Sequence, residues 1–400
     1  MADQNIIGCL RQSDGKVIFT DTKCDDLVMP ACINASGELY VYHESCDGHN
    51  GSDGWYQACL NGSGQLQIAV PEDCCYSWWP FGTGMNGHVW VLADWGGGLV
   101  AGGFFTTAGG NSCNRIAYWD GNTWWPFGGG MNDGVYALTN WGGTLVAGGT
   151  FTTADGNSCN RIAYWDGNTW RPFGEGMNER VYALANWGGT LVAGGTFTTA
   201  DGNSCNRIAY WSGGTWYPFG TGMDTGVRAL INWGGTLVAG GWFTTAGGNL
   251  VNYIAYWSGG TWYPLGTGMN GIVRAFANWG GTLVAGGNFT TADGNSCNRI
   301  AYWDGNTWRP FAGGIDSQVS ALVNWEGALV AGGWFTTADG NSCNRIAYWD
   351  GNTWRPFSTG MTNYVYALAN WGGTLVAGGY FTTAGGNSCN RIAYWGGSVP

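Results

Sequence analysis

Val135-Tyr136-Ala137-Leu138-Thr139-Asn140-Trp141-Gly142-Gly143-Thr144-Leu145-Val146-Ala147-Gly148-Gly149 decides how the chain folds. Two runs rich in β-branched and aromatic residues flank a Gly-Gly pair, the composition of strands joined by a tight turn. Further on, the polar stretch Thr152 to Ser158 and the triplet Asp166-Gly167-Asn168 are again turn chemistry. One unit therefore reads as four β runs: Val135 to Trp141, Thr144 to Phe151, Arg161 to Trp165 and Thr169 to Phe173. No segment keeps a 3.6-residue period long enough to bury a helical face.

The unit recurs without an insertion. Its Trp-x-Pro-Phe/Leu phrase places proline at Pro80, Pro126, Pro172, Pro218, Pro264, Pro310 and Pro356, always 46 residues apart. Four antiparallel strands in 46 residues, written seven times, predict an all-β, seven-bladed β-propeller. The array opens with a fourth-strand phrase, Ser77-Trp78-Trp79-Pro80-Phe81, and its last unit stops after a third strand, Ile392-Ala393-Tyr394-Trp395. The strand near 77–82 is therefore expected to complete the last blade, closing the ring and hiding two sheet edges. The expected division is a small domain over 1–77 and the propeller over 78–400.

The 400 residues carry 74 glycines and 27 tryptophans, only 10% charged residues and a net charge of -11. No basic stripe is present for a phosphate backbone, so no nucleic-acid partner is expected. No run of 18 apolar residues exists either, and no membrane insertion is expected. Met1-Ala2-Asp3-Gln4-Asn5 lacks the basic and apolar regions of a secretory signal. Release by lysis of a producing cell, or a leader outside the given sequence, is the expected route to the exterior.

Seven of the 13 cysteines fall in the first 75 residues. Cys9 and Cys24, Cys32 and Cys46, and Cys59 and Cys74 each flank a glycine turn, so this domain reads as three hairpins, each stapled by a disulfide. Closing a loop of about 15 residues contributes roughly 3 kcal/mol in the chain-entropy model. Cys75 is left over, and Cys74 and Cys75 can exchange roles. His43, Cys46 and His49 match no standard zinc spacing, and no metal or other cofactor is expected. The remaining cysteines, Cys113, Cys159, Cys205, Cys297, Cys343 and Cys389, share one repeat position that holds Val251 in the fourth copy. That exchange predicts buried, unbridged thiols. The three tryptophans of each unit, such as Trp141, Trp165 and Trp170, are expected to pack between blades. The recurrent Arg161, Arg207, Arg299, Arg345 and Arg391 are expected to stack on tryptophan or pair with a turn aspartate.

The string Gly-x-Gly-Met-Asn-x-x-Val-x-Ala-Leu, followed by Gly-x-Leu-Val-Ala-Gly-Gly-x-Phe-Thr-Thr-Ala and Ile-Ala-x-Trp-Asp-Gly-x-x-Trp, resembles the kelch-like repeats of bacterial surface proteins and phage tail or fibre proteins. The short Trp-rich units also resemble lectin propellers of the tachylectin type. These resemblances imply a propeller exposed on an extracellular particle, with sugars bound at repeated sites on its blades. Residues 1–77 resemble no named family.

Seven near-identical copies form an internal alignment, and three sites in it vary. The residue before Phe-Thr-Thr is Phe104, Thr150, Thr196, Trp242, Asn288, Trp334 and Tyr380 in turn. The residue after the first valine of strand one is Trp90, Tyr136, Tyr182, Arg228, Arg274, Ser320 and Tyr366. The pair preceding that strand runs from Gly87-His88 through Asp133-Gly134, Glu179-Arg180, Thr225-Gly226, Gly271-Ile272 and Ser317-Gln318 to Asn363-Tyr364. A packed core tolerates neither Thr to Trp nor Ser to Arg, so these side chains are expected to be exposed. Tyr, Trp, Arg and Asn are also the residues of binding hot spots and adaptable paratopes, and aromatic faces suit sugar rings. Phe104, Trp242, Asn288, Trp334, Tyr380, Trp90, Tyr136, Tyr182, Arg228, Arg274 and Tyr366 are thus the candidate ligand-binding residues.

No catalytic site is expected. The array has one histidine, His88, and no lysine, and it lacks a nucleophile elbow, a phosphate loop and a dinucleotide fingerprint. Asp120, Asp166, Asp304 and Asp350 are explained by Asp-Gly-Asn turns, while Asp155, Asp201, Asp293 and Asp339 give way to glycine in other copies, leaving a calcium site partial at best. The expected function is a non-catalytic virion surface or tail-fibre adhesin, an oligomer in its assembly. Residues 1–77 would dock to other virion proteins and the ring would contact a host-surface glycan or protein. A structural virion decoration or collar protein and a secreted lectin are the alternatives.

Overall fold

The computed structural model describes Ile6–Ser13, Lys16–Thr20, Met29–Ile33, Leu39–His43, Gly54–Leu60, Leu66–Ile68 and residues 77–396. The chain divides into two compact units, the larger being Trp78–Trp395. In the smaller, three antiparallel hairpins pair Ser13 with Lys16, Ile33 with Leu39 and Leu60 with Leu66. They join into one six-stranded sheet. Cys24, Cys46, His49 and Cys74 lie outside the described residues, as do the side chains of Cys9, Cys32, His43 and Cys59, so the expected stapling falls outside them.

The larger unit is a seven-bladed propeller of four-stranded antiparallel sheets. Blade one spans residues 88–126 and blades two to six follow at the 46-residue period. In blade two the strands are Val135–Trp141, Thr144–Gly149, Ile162–Trp165 and Trp170–Pro172, hydrogen-bonded in chain order. Blade seven takes Val365–Trp371, Thr374–Gly379 and Ile392–Gly396 from the end of the array and Ser77–Pro80 from its start. Asn387 Nδ2 donates to the Trp78 carbonyl at 2.8 Å, as Asn157 does to Trp170 within blade two at 3.0 Å. First strands touch first strands from blade to blade around the whole ring, and so they line its axis.

The polar stretch Thr152 to Ser158, expected as turn chemistry between strands, carries strands of its own. It forms a two-stranded ribbon, Thr153–Ala154 against Asn157–Ser158. Asp155 and Gly156, with φ of 49° and 77°, supply the two left-handed residues that a tight hairpin turn demands.

Blades are joined by aromatic wedges. Phe127 sits between Trp95 and Tyr118 of blade one and Trp165 and Trp170 of blade two, with ring centroids 4.9–5.8 Å apart. Trp170 is fully buried, and its indole donates to the Phe127 carbonyl at 3.2 Å. Trp141 donates across the next interface to the Gly189 carbonyl at 2.7 Å, and Trp371 completes the circuit by donating to Gly97 at 3.1 Å. Tryptophan thus packs between blades as expected, each ring burying a large apolar area. Trp124, Trp170, Trp216 and Trp308 also satisfy their N–H on the preceding blade's carbonyl, whereas the buried indole N–H groups of Trp78, Trp262 and Trp354 have no hydrogen-bond partner among the described residues.

The six array cysteines are free and buried, and Val251 fills the same site in blade four. Burial pushes the Cys159 thiol up to about 11 and the Cys389 thiol up to about 12, which suppresses the reactive thiolate.

The second set of aspartates also joins blades. Asp155 Oδ1 accepts from Gly129 and Gly130 backbone N–H groups at 2.5 and 3.1 Å, while Oδ2 accepts from Thr169 Oγ1 and Trp170 N at 2.8 Å. Both oxygens are occupied by protein donors, which accounts for the carboxylate without an ion. Removing one acceptor strands several donors, so Asp155→Ala is expected to destabilise the protein by about 1–3 kcal/mol. Equilibrium urea unfolding reads this out; a change below about 0.5 kcal/mol would contradict the role assigned to the carboxylate.

Candidate functional site

Each first strand carries a β-bulge where the internal alignment varies. In blade two Val135 pairs with Gly149 and Ala137 with Gly148, leaving Tyr136 unpaired between them. The same shift leaves out Trp90, Tyr182, Arg228, Arg274, Ser320 and Tyr366 in the other blades. A bulge re-aims its side chain. Here it presents seven side chains at one end of the axis, beside the ends of the second strands and the starts of the first.

All three variable sites therefore meet at one axial mouth. Trp90 stacks on Tyr136 at 4.4 Å and 12°, Tyr136 meets Tyr182 edge-on at 5.3 Å, and the Arg228 guanidinium lies 5.1 Å over the Tyr182 ring. On the other side His88 stacks with Tyr380 at 4.2 Å and with Tyr366 at 5.9 Å, while Trp334 stacks on Tyr364 at 4.1 Å. Trp242 packs on Tyr182 at 5.7 Å and Phe104 on Trp90 at 5.8 Å. A polar chain fills the remaining arc. Arg274 Nε donates to Asn288 Oδ1, Asn288 Nδ2 donates to Gln318 Oε1 at 3.2 Å, and Gln318 Nε2 donates to Ser320 Oγ at 2.8 Å.

The expectation of simple exposure needs correction. Phe104, Asn288, Trp334 and Tyr380 are exposed, but Trp242 and all seven bulge residues are half-buried against one another. They escape the overpacking argument because they line an open axis, where Ser and Trp can occupy the same place without straining a core.

The recurrent arginines also differ from expectation. Among the described residues the ion pairs are Arg171–Asp166, Arg309–Asp304 and Arg355–Asp350, all on the outer strands at 2.8 Å. The Arg171 and Arg309 side chains, with turn backbone N–H groups second, hold the pKa values of Asp166 and Asp304 down to about 2, and the Thr353 backbone N–H, with Arg355 second, holds that of Asp350 down to about 2. Arg115, Arg207, Arg299 and Arg345 donate instead to the carbonyls of Phe105, Phe197, Phe289 and Phe335 at 2.9–3.4 Å. Some also lie under the variable aromatics: Arg115 is 4.6 Å from the Phe104 ring and Arg391 is 5.8 Å from Tyr380. The array's three outer-strand arginines are thus paired with acid, whereas the arginines around the mouth are held by carbonyls and aromatic faces.

His88, sandwiched in the aromatic arc, has a lowered pKa through burial first and the Arg391 charge second. The fold thus favours its neutral form. That stability is complete above the unfolded value near 6.5 and is lost as pH falls from there through the lowered folded value. The outer-strand aspartates titrate near 2, well below this window. Thermal unfolding followed from pH 8 to pH 4 should show a fall in midpoint that His88→Gln reduces, glutamine being the residue that blade six carries at this place as Gln318. An identical pH profile in the variant would contradict the assignment. No group of three His, Cys, Asp or Glu side chains among the described residues could hold a metal ion.

The propeller geometry agrees with comparisons to known proteins. A family described as "Domain of unknown function (DUF5122) beta-propeller" matches residues 373–393, which hold the second-strand hairpin and ribbon of blade seven. No curated protein matches the chain. Among solved structures, the computationally designed Ika8 protein is 17% identical, with 98% of this chain and 96% of that chain covered, at a TM-score of 0.49. The WD40 β-propeller domain of Doa1 is 12% identical over 81% of this chain and 97% of that chain, at 0.54. The extracellular domain of the putative hybrid two-component system BT4673 from B. thetaiotaomicron is 11% identical over 80% of this chain and 39% of that chain, at 0.53. The last two likenesses speak for the fold alone, and the chain carries β-propeller repeats.

Proposed function

We propose that this protein is a non-catalytic recognition module whose axial mouth binds a host-surface glycan or protein. One observation carries the reading. The side chains at the bulge, before Phe-Thr-Thr and just ahead of the first strand differ among the seven blades, gather at one end of the axis and touch one another, while a further varying position, Trp125, Arg171, Tyr217, Tyr263, Arg309 and Arg355, lies apart on the outer strands. Folding needs only the repeated set, so a separate pressure selected those that gather at the mouth. Aromatic and arginine side chains gathered at one half-buried site supply large contact area at small entropic cost. The setting we propose is a virion surface or tail fibre, with residues 1–77 docking the module to other virion proteins in an oligomeric assembly.

The test is binding of the intact chain to a panel of bacterial envelopes and purified glycans, beside Trp242→Ala/Trp334→Ala. Envelope or glycan binding that weakens at least tenfold in the variant supports the reading. Absence of binding by the intact chain would favour a purely structural virion component.

A further inference from the structure

The mouth is chemically two-sided. Going around the axis, the bulge residues of blades seven, one, two and three are Tyr366, Trp90, Tyr136 and Tyr182, an aromatic arc supplemented by His88 and Tyr380. Blades four and five put Arg228 and Arg274 in the same place, and blade six puts Ser320 there. Among the described residues no carboxylate pairs with either arginine, because every ion pair there lies on the outer strands. Arg228 is held by the Tyr182 ring face and Arg274 by the side-chain oxygen of Asn288.

Two neighbouring guanidiniums in a half-buried aromatic setting repel each other and lose hydration. The Arg274 pKa is accordingly pushed down to about 10, by burial first and by Arg228 second. Such an arrangement destabilises the empty protein, and an anion between the two forks relieves it through charge-assisted, bidentate hydrogen bonds. Nothing else in the repeat requires arginine here, since serine serves in blade six. Meanwhile the arc opposite offers flat rings to the apolar face of a small ring.

Resting on the recognition reading above, we infer that the mouth selects an anionic sugar, its charged group held by Arg228 and Arg274 and its ring packed on the arc of Trp90, Tyr136 and Tyr182. The end of a glycan chain or a protruding sugar unit suits an axial depression better than an extended peptide, which needs an open sheet edge to pair with along its length.

Binding of the full chain to oligogalacturonate, to its neutral methyl ester and to a sulfated oligosaccharide such as a carrageenan fragment tests this. At least one anionic probe should bind ten times or more tighter than the neutral ester, and the preferred probe identifies the anion as carboxylate or sulfate. Arg228→Ser/Arg274→Ser, which installs the residue of blade six, should abolish that preference, while Arg228→Lys/Arg274→Lys keeps the charge but loses the bidentate fork and should restore it only in part. A native tryptophan fluorescence spectrum and an unfolding midpoint no lower than that of the unaltered protein would show that the double serine variant is folded. Neutral and anionic probes binding equally would overturn the anion assignment and leave the recognition reading standing. An anion preference that survives in the folded serine variant would overturn the assignment to these two residues, and no binding of any probe, together with silence on the envelope panel, would sink both readings.

Discussion

Trp78→Ala is expected to lower the unfolding free energy by about 3–5 kcal/mol, the range for truncating a buried large aromatic. Trp78 lies more than 300 residues from the third strand of its blade, yet it is fully buried. Its ring packs 5.8 Å from Phe357 and 5.4 Å from Trp395, and its carbonyl receives the Asn387 side chain. These are the neighbours that Trp170 has in blade two, where Phe127 and Trp165 lie at 5.8 and 5.6 Å. The effect should therefore equal that of Trp262→Ala within about 1 kcal/mol, whereas a strand merely appended to a self-sufficient array would cost far less. Urea unfolding of both variants decides the matter. A loss below 1 kcal/mol for Trp78→Ala beside a large loss for Trp262→Ala would contradict closure by this strand.

Gly195→Ala should be nearly as damaging, with an expected loss of about 3 kcal/mol, the upper end of ordinary overpacking. Every second strand ends Ala-Gly-Gly or leads into it, and the second glycine lies against the carbonyl that precedes the next-door first strand. A methyl at Gly195 would stand 1.9 Å from the Arg180 carbonyl oxygen, a backbone atom fixed by the hydrogen bond from Thr196 N at 3.0 Å. Neither partner can yield without opening the strand pair beside the bulge. Gly202, with open space around it but a φ of 73°, is the useful contrast: alanine there meets only backbone strain, of order 1 kcal/mol. Equal thermal shifts in the two variants would count against the close-approach explanation.

The blades are legible in the sequence because each one is local. A strict period, turn glycines and two-residue alternation all operate within 46 residues, and Val135–Trp141 coincides with the strand expected there. The short ribbon of Thr153–Ala154 and Asn157–Ser158 is hidden by its polar composition, although Asp155-Gly156 is itself a hairpin-turn signal. The recurrent arginines mislead for a different reason: their partners are main-chain carbonyls and the variable rings, neither of which carries a residue-specific signature at fixed spacing. The variable residues can be picked out from sequence, but not their convergence. Whether Tyr136 faces the axis depends on a bulge, and whether it meets Trp90 and Tyr182 depends on how blades pack across 46-residue gaps. His88, Tyr364 and Gln318 vary in the internal alignment without standing out as binding residues; only the ring brings them into the mouth.

The central claim is that the mouth recognises a ligand while the repeated framework holds the fold, and the most direct measurement separates the two in one variant. Trp90→Ser/Tyr136→Ser removes the stacked centre of the aromatic arc and substitutes the residue that blade six already carries at that place. Binding to the envelope and glycan panel and the urea unfolding midpoint should be measured on the same preparation. The account predicts a loss of binding of at least tenfold with a stability change of no more than about 1–2 kcal/mol, the scale of a lost aromatic pair. Full binding by the folded variant would place recognition elsewhere on the propeller and contradict the claim.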